Sequence, residues 1–199
     1  MITMYKSRNI GRIRLYEPDY SVLEPPCLSD IQVLVGVRNQ DVYQLPKSHI
    51  AAEIWVKNNI NPYWPRVLFR CIGVGNDLIP GPGAQYILRA MKNLRNALLR
   101  HGYLCNHIKV SAAIRASCAF PIHHWLERSL KNDYALFSSE NVAVKDGGLS
   151  CFNLFDAIDG ALHAFMQKAV APGVEAVVLE SGWPSAGNGE FTIAKMARV

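Results

Sequence analysis

A glutamate at the end of an apolar run is the feature of this chain that points most directly to chemistry. Residues 176–179 read Ala-Val-Val-Leu and lead into Glu180, which is followed by Gly182, Trp183 and Pro184. A buried strand would hold the carboxylate of Glu180 rigidly, and the indole of Trp183 offers a flat face to a sugar ring. One carboxylate does not cleave a glycosidic bond alone, because the leaving oxygen must be protonated while the opposite face of the sugar is attacked. The sequence therefore predicts a second carboxylate at the same rim.

The candidate for the second carboxylate is Asp77, which follows Asn76 at the end of another largely apolar run, residues 69–75. If both runs are parallel strands of one β/α barrel, their carboxyl ends share the face on which barrel enzymes place their chemistry. We then expect Asp77 and Glu180 to face each other across one opening. The plainer alternative is that Asp77 caps the helix that begins after Pro82-Gly83.

Five stretches in order along the chain resemble the plant glucan endo-1,3-β-glucosidases of glycoside hydrolase family 17. They are residues 9–16, 31–35, 74–81, 153–157 and 180–185. The most specific is Glu-Ser-Gly-Trp-Pro-Ser at 180–185, and the resemblance extends from about residue 4 to residue 187. It implies linear β-1,3-glucan as the substrate, with no metal and no organic cofactor.

The resemblance also implies a role for each candidate site residue. Glu180 corresponds to the nucleophile, and Asp77 stands where the family has a glutamate as acid/base. Tyr16 corresponds to a tyrosine of the substrate cleft, with a core aromatic as the alternative. Asn76 would hydrogen-bond a sugar hydroxyl beside the scissile bond, with a structural turn as the alternative. Trp183 either stacks on sugar or fills the rim of the barrel.

The aspartate at position 77 departs from the family pattern in a way that matters physically. Its side chain is one methylene shorter than glutamate, which draws the carboxyl group back by up to about 1.5 Å. Retaining glycosidases hold their two carboxyl groups about 5 to 5.5 Å apart, and a misplacement near 1 Å costs roughly a hundredfold in rate. We therefore expect impaired hydrolysis. A non-catalytic carbohydrate-binding pseudoenzyme and a nonfunctional fragment remain as alternatives.

The order of strands and helices predicts an α/β fold, a TIM-type β/α barrel that is incomplete. Strands are predicted at 10–16, 31–37, 67–74, 107–113, 142–145 and 175–180. Helices are predicted at 48–59, at 84–100 with Gly102 as the stop, and at 151–168 with Ser150 as the cap. A complete barrel takes about 250 residues, whereas this chain has 199. Compared with the family, residues 1–199 are predicted to form one glycoside-hydrolase-like domain. This domain would lack the first strand, a segment after Pro121 and the closing carboxyl-terminal part.

Other classes of protein are disfavoured by composition and spacing. The net charge is +5, but the basic residues are scattered, which argues against nucleic acid. The pair His123-His124 lacks the spaced ligands of a zinc site, and Gly73-Val74-Gly75 lacks the third glycine of a dinucleotide fingerprint. The cysteines number five, which argues against a complete disulfide framework. We expect a monomer with no membrane span. The family is secreted to the cell wall or vacuole, although no signal peptide follows Met1.

Overall fold

The computed structural model describes residues 2–24, 30–102, 106–115, 132–142, 144–146, 148–168, 173–182 and 186–187. It divides the chain into two compact units, a first unit over 1–115 and a second unit over 116–199. The two are described one after the other, with helices and strands numbered in chain order over the described residues.

The first unit alternates strands with helices. Its strands are β1 (Arg12–Leu15), β2 (Gln32–Val37), β3 (Leu68–Ile79) and β4 (Lys109–Ile114). Its helices are α1 (Ile2–Ser7), α2 (Tyr20–Leu23), α3 (Asn39–Val42), α4 (His49–Asn59) and α5 (Ala84–Arg100). The strands form a four-stranded sheet in the order β1-β2-β3-β4, and every neighbouring pair is parallel. The predicted α/β class is confirmed, while closure into a barrel and its incompleteness stay predictions.

The core of the first unit lies between the sheet and its helices. Val33, Val35 and Val37 of β2 are almost completely buried, as is typical of a parallel strand covered on its faces. Helix α5 contributes Leu94 and Leu98 to the same core. The predicted strands over 10–16, 31–37, 67–74 and 107–113 are all found, with β3 continuing to Ile79.

Helix α5 has the predicted bounds, and α4 forms where a helix was predicted and buries one face. The buried residues of α4 are Ala52, Trp55 and Val56, which follow the i, i+3, i+4 spacing of one helical face. The other large apolar residues of α4, Ile50 and Ile54, are 55% and 52% exposed. At 3.6 residues per turn, Ile50 and Ile54 each lie two residues from Ala52 and therefore on nearly the opposite face of the helix.

The cap of α4 offers a test of local stability. The hydroxyl oxygen of Ser48 accepts a hydrogen bond of 3.1 Å from the backbone N–H of Ile50. Ser48→Ala should therefore lower the free energy of unfolding by about 1 kcal/mol. Urea unfolding measures the change, with Ser111→Ala on the exposed face of β4 as the control. Equal midpoints for the two variants would show that the cap does not stabilise the helix.

The second unit departs from the predicted barrel pattern. It contains α6 (Asn132–Ala135), β5 (Val144–Asp146), β6 (Leu149–Cys151) and α7 (Leu154–Lys168). Strand β5 pairs antiparallel with β6, so the strand predicted over 142–145 belongs to a hairpin. The sequence pattern over 142–145 predicted a strand correctly, but it did not indicate that the strand would pair with β6.

Two further expectations for the second unit are wrong. Helix α7 begins at Leu154 because β6 occupies the preceding residues, so Ser150 lies in a strand and does not cap the helix. Asn153 takes that position, and its Oδ1 accepts a hydrogen bond of 2.9 Å from the N–H of Asp156. The strand predicted over 175–180 is also not found, since residues 174–182 have no helix or strand. Val177 is 62% exposed, and no described strand of this unit pairs with the segment.

Candidate active site

The carboxyl ends of the parallel strands in the first unit meet at one edge of the sheet. Tyr16 follows β1, Asn39 lies just beyond β2, and Arg115 follows β4. Asn76 and Asp77 lie in the last part of β3, after its ladder with β2 has ended at Val74. We call this region the carboxyl edge, and it brings together three of the predicted site residues, Tyr16, Asn76 and Asp77.

Asn76 is held at the carboxyl edge by three hydrogen bonds, two to its backbone and one to its side chain. Its backbone N–H donates to Oδ1 of Asn39 at 2.7 Å, and Nδ2 of Asn39 donates back to the carbonyl of Asn76 at 3.0 Å. Nη2 of Arg14 donates to Oδ1 of Asn76. Because Oδ1 already accepts from a guanidinium, the amide group Nδ2 is the part of Asn76 that remains to donate to a ligand.

Arg14 also holds the ring of Tyr16. The guanidinium carbon lies 4.5 Å from the ring centroid, which is within cation–π range. The tyrosine is 53% exposed, so it lies outside the hydrophobic core. A single arginine thus fixes an amide and an aromatic ring, the two kinds of side chain that commonly line a sugar-binding site.

Asp77 lies in a local break of β3. Its φ is +55° and that of Gly75 is +75°, so the chain passes through the left-handed region on both sides of Asn76. Aspartate is among the few residues other than glycine that are enriched there. Pairing with β4 stops at Val74 and resumes at Ile79. Such irregularities in a strand re-aim side chains near functional sites.

Arg115 is the charged neighbour of Asp77. Its Nε lies 3.8 Å from Oδ2 of the aspartate, and both side chains are substantially exposed. Solvent screens such a pair, so its contribution is to orient the carboxylate more than to stabilise the fold. The helix-cap alternative for Asp77 is wrong, because the residue that precedes α5 is Gly83.

The remaining predicted site residues belong to the second unit. Glu180 is exposed on the extended segment 174–182. Trp183 lies outside the described residues, as does the pair His123-His124. The action of Glu180 together with Asp77 therefore stays a prediction. Among the described residues, no group of three or more His, Cys, Asp or Glu side chains could hold a metal ion.

Sequence reasoning missed Arg14, Asn39 and Arg115. Asn39 and Arg115 are polar residues within two positions of the carboxyl end of a strand, which is close to the signal that identified Asn76. Arg14 lies two residues before Tyr16 and therefore points to the same side of β1. Reading the polar residues at the end of every predicted strand, together with the position two before, would have found all three.

The carboxyl edge carries an aromatic ring, an amide and a carboxylate, groups that commonly line sugar-binding sites, and comparison with known proteins shows the family of the chain. The family described as Glycosyl hydrolases family 17 matches residues 1–121 and 117–197. The chain belongs to this family.

Relatives of known name and structure agree with that assignment. A glucan endo-1,3-beta-glucosidase of Vitis vinifera is 34% identical over 97% of this chain and 68% of its own length. The basic vacuolar isoform of Nicotiana plumbaginifolia is 32% identical over 94% of this chain and 63% of its own length. CJP38, a beta-1,3-glucanase and allergen of Cryptomeria japonica pollen, superposes with a TM-score of 0.86 at 32% identity, covering 98% of this chain and 73% of that structure. The chain thus spans about two thirds of the length of its curated relatives. Within the described residues, no helix is both long and apolar enough to span a bilayer.

Proposed function

We propose that this protein binds β-1,3-glucan at the carboxyl edge and hydrolyses it with retention of configuration, at a rate lowered by the short side chain of Asp77. The observation that carries the proposal is the fixed orientation of Asn76. Asn39 holds its backbone and Arg14 holds its Oδ1, so an amide donor is fixed on the residue that immediately precedes Asp77. Membership of a glycosidase family supports the same chemistry.

The proposed reaction has two steps, with Glu180 as the nucleophile and Asp77 as the acid/base. In the first step an oxygen of Glu180 bonds to the anomeric carbon, the glycosidic C–O bond breaks, and Asp77 gives its proton to the leaving oxygen. In the second step Asp77 takes a proton from water, the water oxygen bonds to the anomeric carbon, and Glu180 is released. Two displacements leave the β configuration unchanged.

The length of Asp77 limits the first step in this scheme. A carboxyl group drawn back by about one carbon–carbon bond donates its proton over a longer path, and misplacements of this size lower rates by roughly a hundredfold. The left-handed backbone at φ +55° fixes where the aspartate side chain begins. Rotation about the side-chain bonds changes the direction of the carboxyl group but cannot add the length of the missing methylene.

A second candidate function is glucan binding without hydrolysis. The specific observation in its favour is that the contacts of Arg14 with Tyr16 and Asn76 do not involve the Asp77 carboxylate. The carboxyl edge would therefore retain its aromatic ring and amide donor if the acid step were absent. A nonfunctional fragment is the third reading, and it predicts that the purified chain shows no cooperative thermal unfolding.

The stereochemistry of the product tests the proposal. We would incubate the chain with soluble β-1,3-glucan and follow the newly formed reducing ends by proton NMR before they mutarotate. The expected first product is the β-anomer. Formation of the α-anomer would overturn the retaining mechanism. Saturable glucan binding by a cooperatively folding chain that forms no product would favour the pseudoenzyme.

Removing Arg14 should weaken glucan binding while leaving the strand in place. Arg14→Met keeps most of the apolar stem but loses the donor to Asn76 and the cation beside Tyr16. We expect about a tenfold loss of affinity, which corresponds to roughly 1.4 kcal/mol. Titration calorimetry with soluble β-1,3-glucan measures it, with Arg12→Met at the exposed start of β1 as the control. A variant with unchanged affinity would show that Arg14 does not position the binding groups.

The name of the relative from Nicotiana plumbaginifolia suggests where the protein acts. That relative is named a basic vacuolar isoform. By analogy we propose the vacuole as the location, with the cell wall, which the family resemblance also implies, as the alternative. We keep a monomer as the expected acting form.

A further inference from the structure

Helix α5 carries four basic residues and no acidic residue. The basic residues are Arg89, Lys92, Arg95 and Arg100. The net charge of the whole chain is +5, so this single helix supplies most of the excess positive charge. Elsewhere in the chain the basic residues are scattered and acidic residues nearly balance them, but on α5 they are concentrated.

The basic residues of α5 lie on the side of the helix that faces solvent. Leu94 and Leu98 on the opposite side are completely buried in the core of the first unit. Arg89, Lys92 and Arg95 are exposed, and they follow one another at intervals of three residues. We call this surface the basic face of α5; it consists of Leu88, Arg89, Lys92, Arg95 and Leu99.

Nearby carboxylates do not account for the charges of the basic face. Arg100, at the end of the helix, pairs with Glu53 of α4. Arg89 and Lys92 make no ion pair within the part of the chain that the structure describes. Residues three apart are neighbours on a helix, and like charges at such positions repel each other. A helix that keeps this repulsion along its exposed side suits an anionic partner from outside the chain.

The spacing along the basic face suits a linear chain of negative charges. Residues three apart on a helix are about 4.5 Å apart along its axis, so the three cations form a short row. Leu88 and Leu99 flank this row and are 63% and 50% exposed. A polysaccharide with a carboxylate on each sugar presents anions to the cations and the apolar C–H faces of its rings to the leucines.

Two other anionic partners fit the basic face less well. A helix that binds a membrane surface places its apolar side in the bilayer, but the apolar side of α5 is already buried in the core. Proteins that bind single-stranded nucleic acids stack the bases on exposed aromatic rings. The aromatic residue of α5, Tyr86, is half-buried and packs edge-on against Tyr43, with the ring centroids 5.1 Å apart. These observations favour an acidic polysaccharide.

We propose that the basic face of α5 binds a linear acidic polysaccharide whose sugar units each carry a carboxylate. Arg89 and Arg95 each hold a carboxylate through paired N–H groups of the guanidinium, and Lys92 contributes a point charge between them. The basic face shares no residue with the carboxyl edge, so this binding is independent of the proposed hydrolysis of glucan. It retains the protein on an acidic matrix while the carboxyl edge acts on its own substrate.

Calorimetry with soluble polygalacturonate at low ionic strength tests the proposal. Arg89→Gln/Lys92→Gln keeps good helix formers at both positions and should lower the affinity about tenfold. Arg8→Gln/Arg12→Gln removes the same total charge from exposed positions elsewhere and should leave the affinity unchanged. Arg89→Lys/Lys92→Arg keeps both charges and should retain the binding. Thermal unfolding should show that the helix variants are as stable as the wild type, since removing like charges relieves repulsion.

Other polymers and vesicles identify the partner. Methyl-esterified polygalacturonate has the same backbone without free carboxylates, and the wild type should not bind it. Salt at about 1 M, where the Debye length is about 3 Å, should abolish binding to the acidic polymer. Tighter binding to double-stranded DNA or to phosphatidylglycerol vesicles would overturn the assignment to an acidic polysaccharide.

The remaining outcomes separate this proposal from the proposed function. Equal loss in the two paired glutamine variants would show that binding follows net charge and does not involve α5 specifically. Equal binding of the free and the esterified polymer would show that the carboxylates are not recognised. A wild type that binds β-1,3-glucan but not polygalacturonate would overturn the role of the basic face and leave the carboxyl edge intact.

Discussion

Asp77→Glu should raise the rate of β-1,3-glucan hydrolysis by about a hundredfold. The added methylene moves the carboxyl group forward by up to about 1.5 Å, and misplacements near 1 Å cost about that factor. Initial rates of reducing-end formation, measured at equal concentrations of folded protein, give the ratio. The result would identify the short side chain as the main defect of the site.

The same substitution carries a structural cost that the experiment must separate from the gain. The backbone at position 77 has φ +55°, a region in which aspartate is enriched among residues other than glycine. Left-handed geometry costs an ordinary residue roughly 1 to 2 kcal/mol. The glutamate variant should therefore unfold at a lower temperature while it hydrolyses faster. Thermal unfolding of both proteins would show this opposite movement of stability and rate.

Three controls make the Asp77→Glu result specific. Asp77→Asn keeps the size of the side chain but has no acidic proton to transfer to the leaving oxygen, so it should abolish the residual activity. Asp30→Glu lengthens an exposed aspartate whose partner is Lys6 and should change nothing. Glu180→Gln added to Asp77→Glu should remove the gain, since the nucleophile is lost. Equal rates for the wild type and a folded Asp77→Glu variant would mean that reach does not limit the reaction.

The parallel sheet of the first unit could be predicted from sequence because its signals are local. Apolar runs over 31–37 and 67–74 mark buried strands, and the helix between Gly83 and Gly102 is bounded by its own start and stop residues. Helix α5 therefore has the predicted bounds. Burial within α4 was harder to predict, because the small Ala52 lies on the buried face while the larger Ile50 and Ile54 lie on the exposed one.

The second unit shows where local signals fail. A run such as 176–179 has the composition of a buried strand, but a strand also needs a partner to accept its hydrogen bonds. The described part of this unit offers a hairpin, β5 with β6, and leaves the segment around Val177 exposed. Composition alone cannot supply the partner, because pairing depends on residues distant in sequence.

In the candidate site, too, residues marked by local sequence signals could be predicted, whereas contacts between residues distant in sequence could not. Asn76 and Asp77 could be found because they end an apolar run, and a family resemblance named their roles. Arg14 could be marked as a candidate from its position, but its contact with Asn76 could not be predicted, because that contact depends on the spatial order of β1, β2 and β3. Strands β1 and β3 lie on either side of β2 in the sheet, so the distance between Arg14 and Asn76 is known only once that strand order is known.

Gly36→Ala should be the most damaging single substitution in the first unit. A Cβ at this position would lie 2.1 Å from the carbonyl oxygen of Tyr16 and 2.7 Å from its carbonyl carbon. Both are backbone atoms, so no rotamer change relieves the overlap, and β1 must move away from β2. We expect the free energy of unfolding to fall by more than about 4 kcal/mol. Gly36 of β2 is thus required because it lies against the backbone of Tyr16, where β1 ends at the carboxyl edge.

Gly36→Ala should lower glucan affinity as well as the stability of the fold. Displacing the backbone of Tyr16 separates its ring from Arg14, so glucan affinity should fall even in molecules that remain folded. Gly11→Ala is the matched control, because a Cβ there meets nothing within 4 Å. Gly73→Ala is an intermediate case, since its Cβ would meet only the side-chain Cδ2 of Leu34 at 3.2 Å. Urea unfolding should rank the variants Gly11, Gly73 and Gly36 in increasing order of damage. If Gly36→Ala unfolds at the same urea concentration as Gly11→Ala, β1 and β2 do not approach each other as closely at Tyr16 as the structure has them.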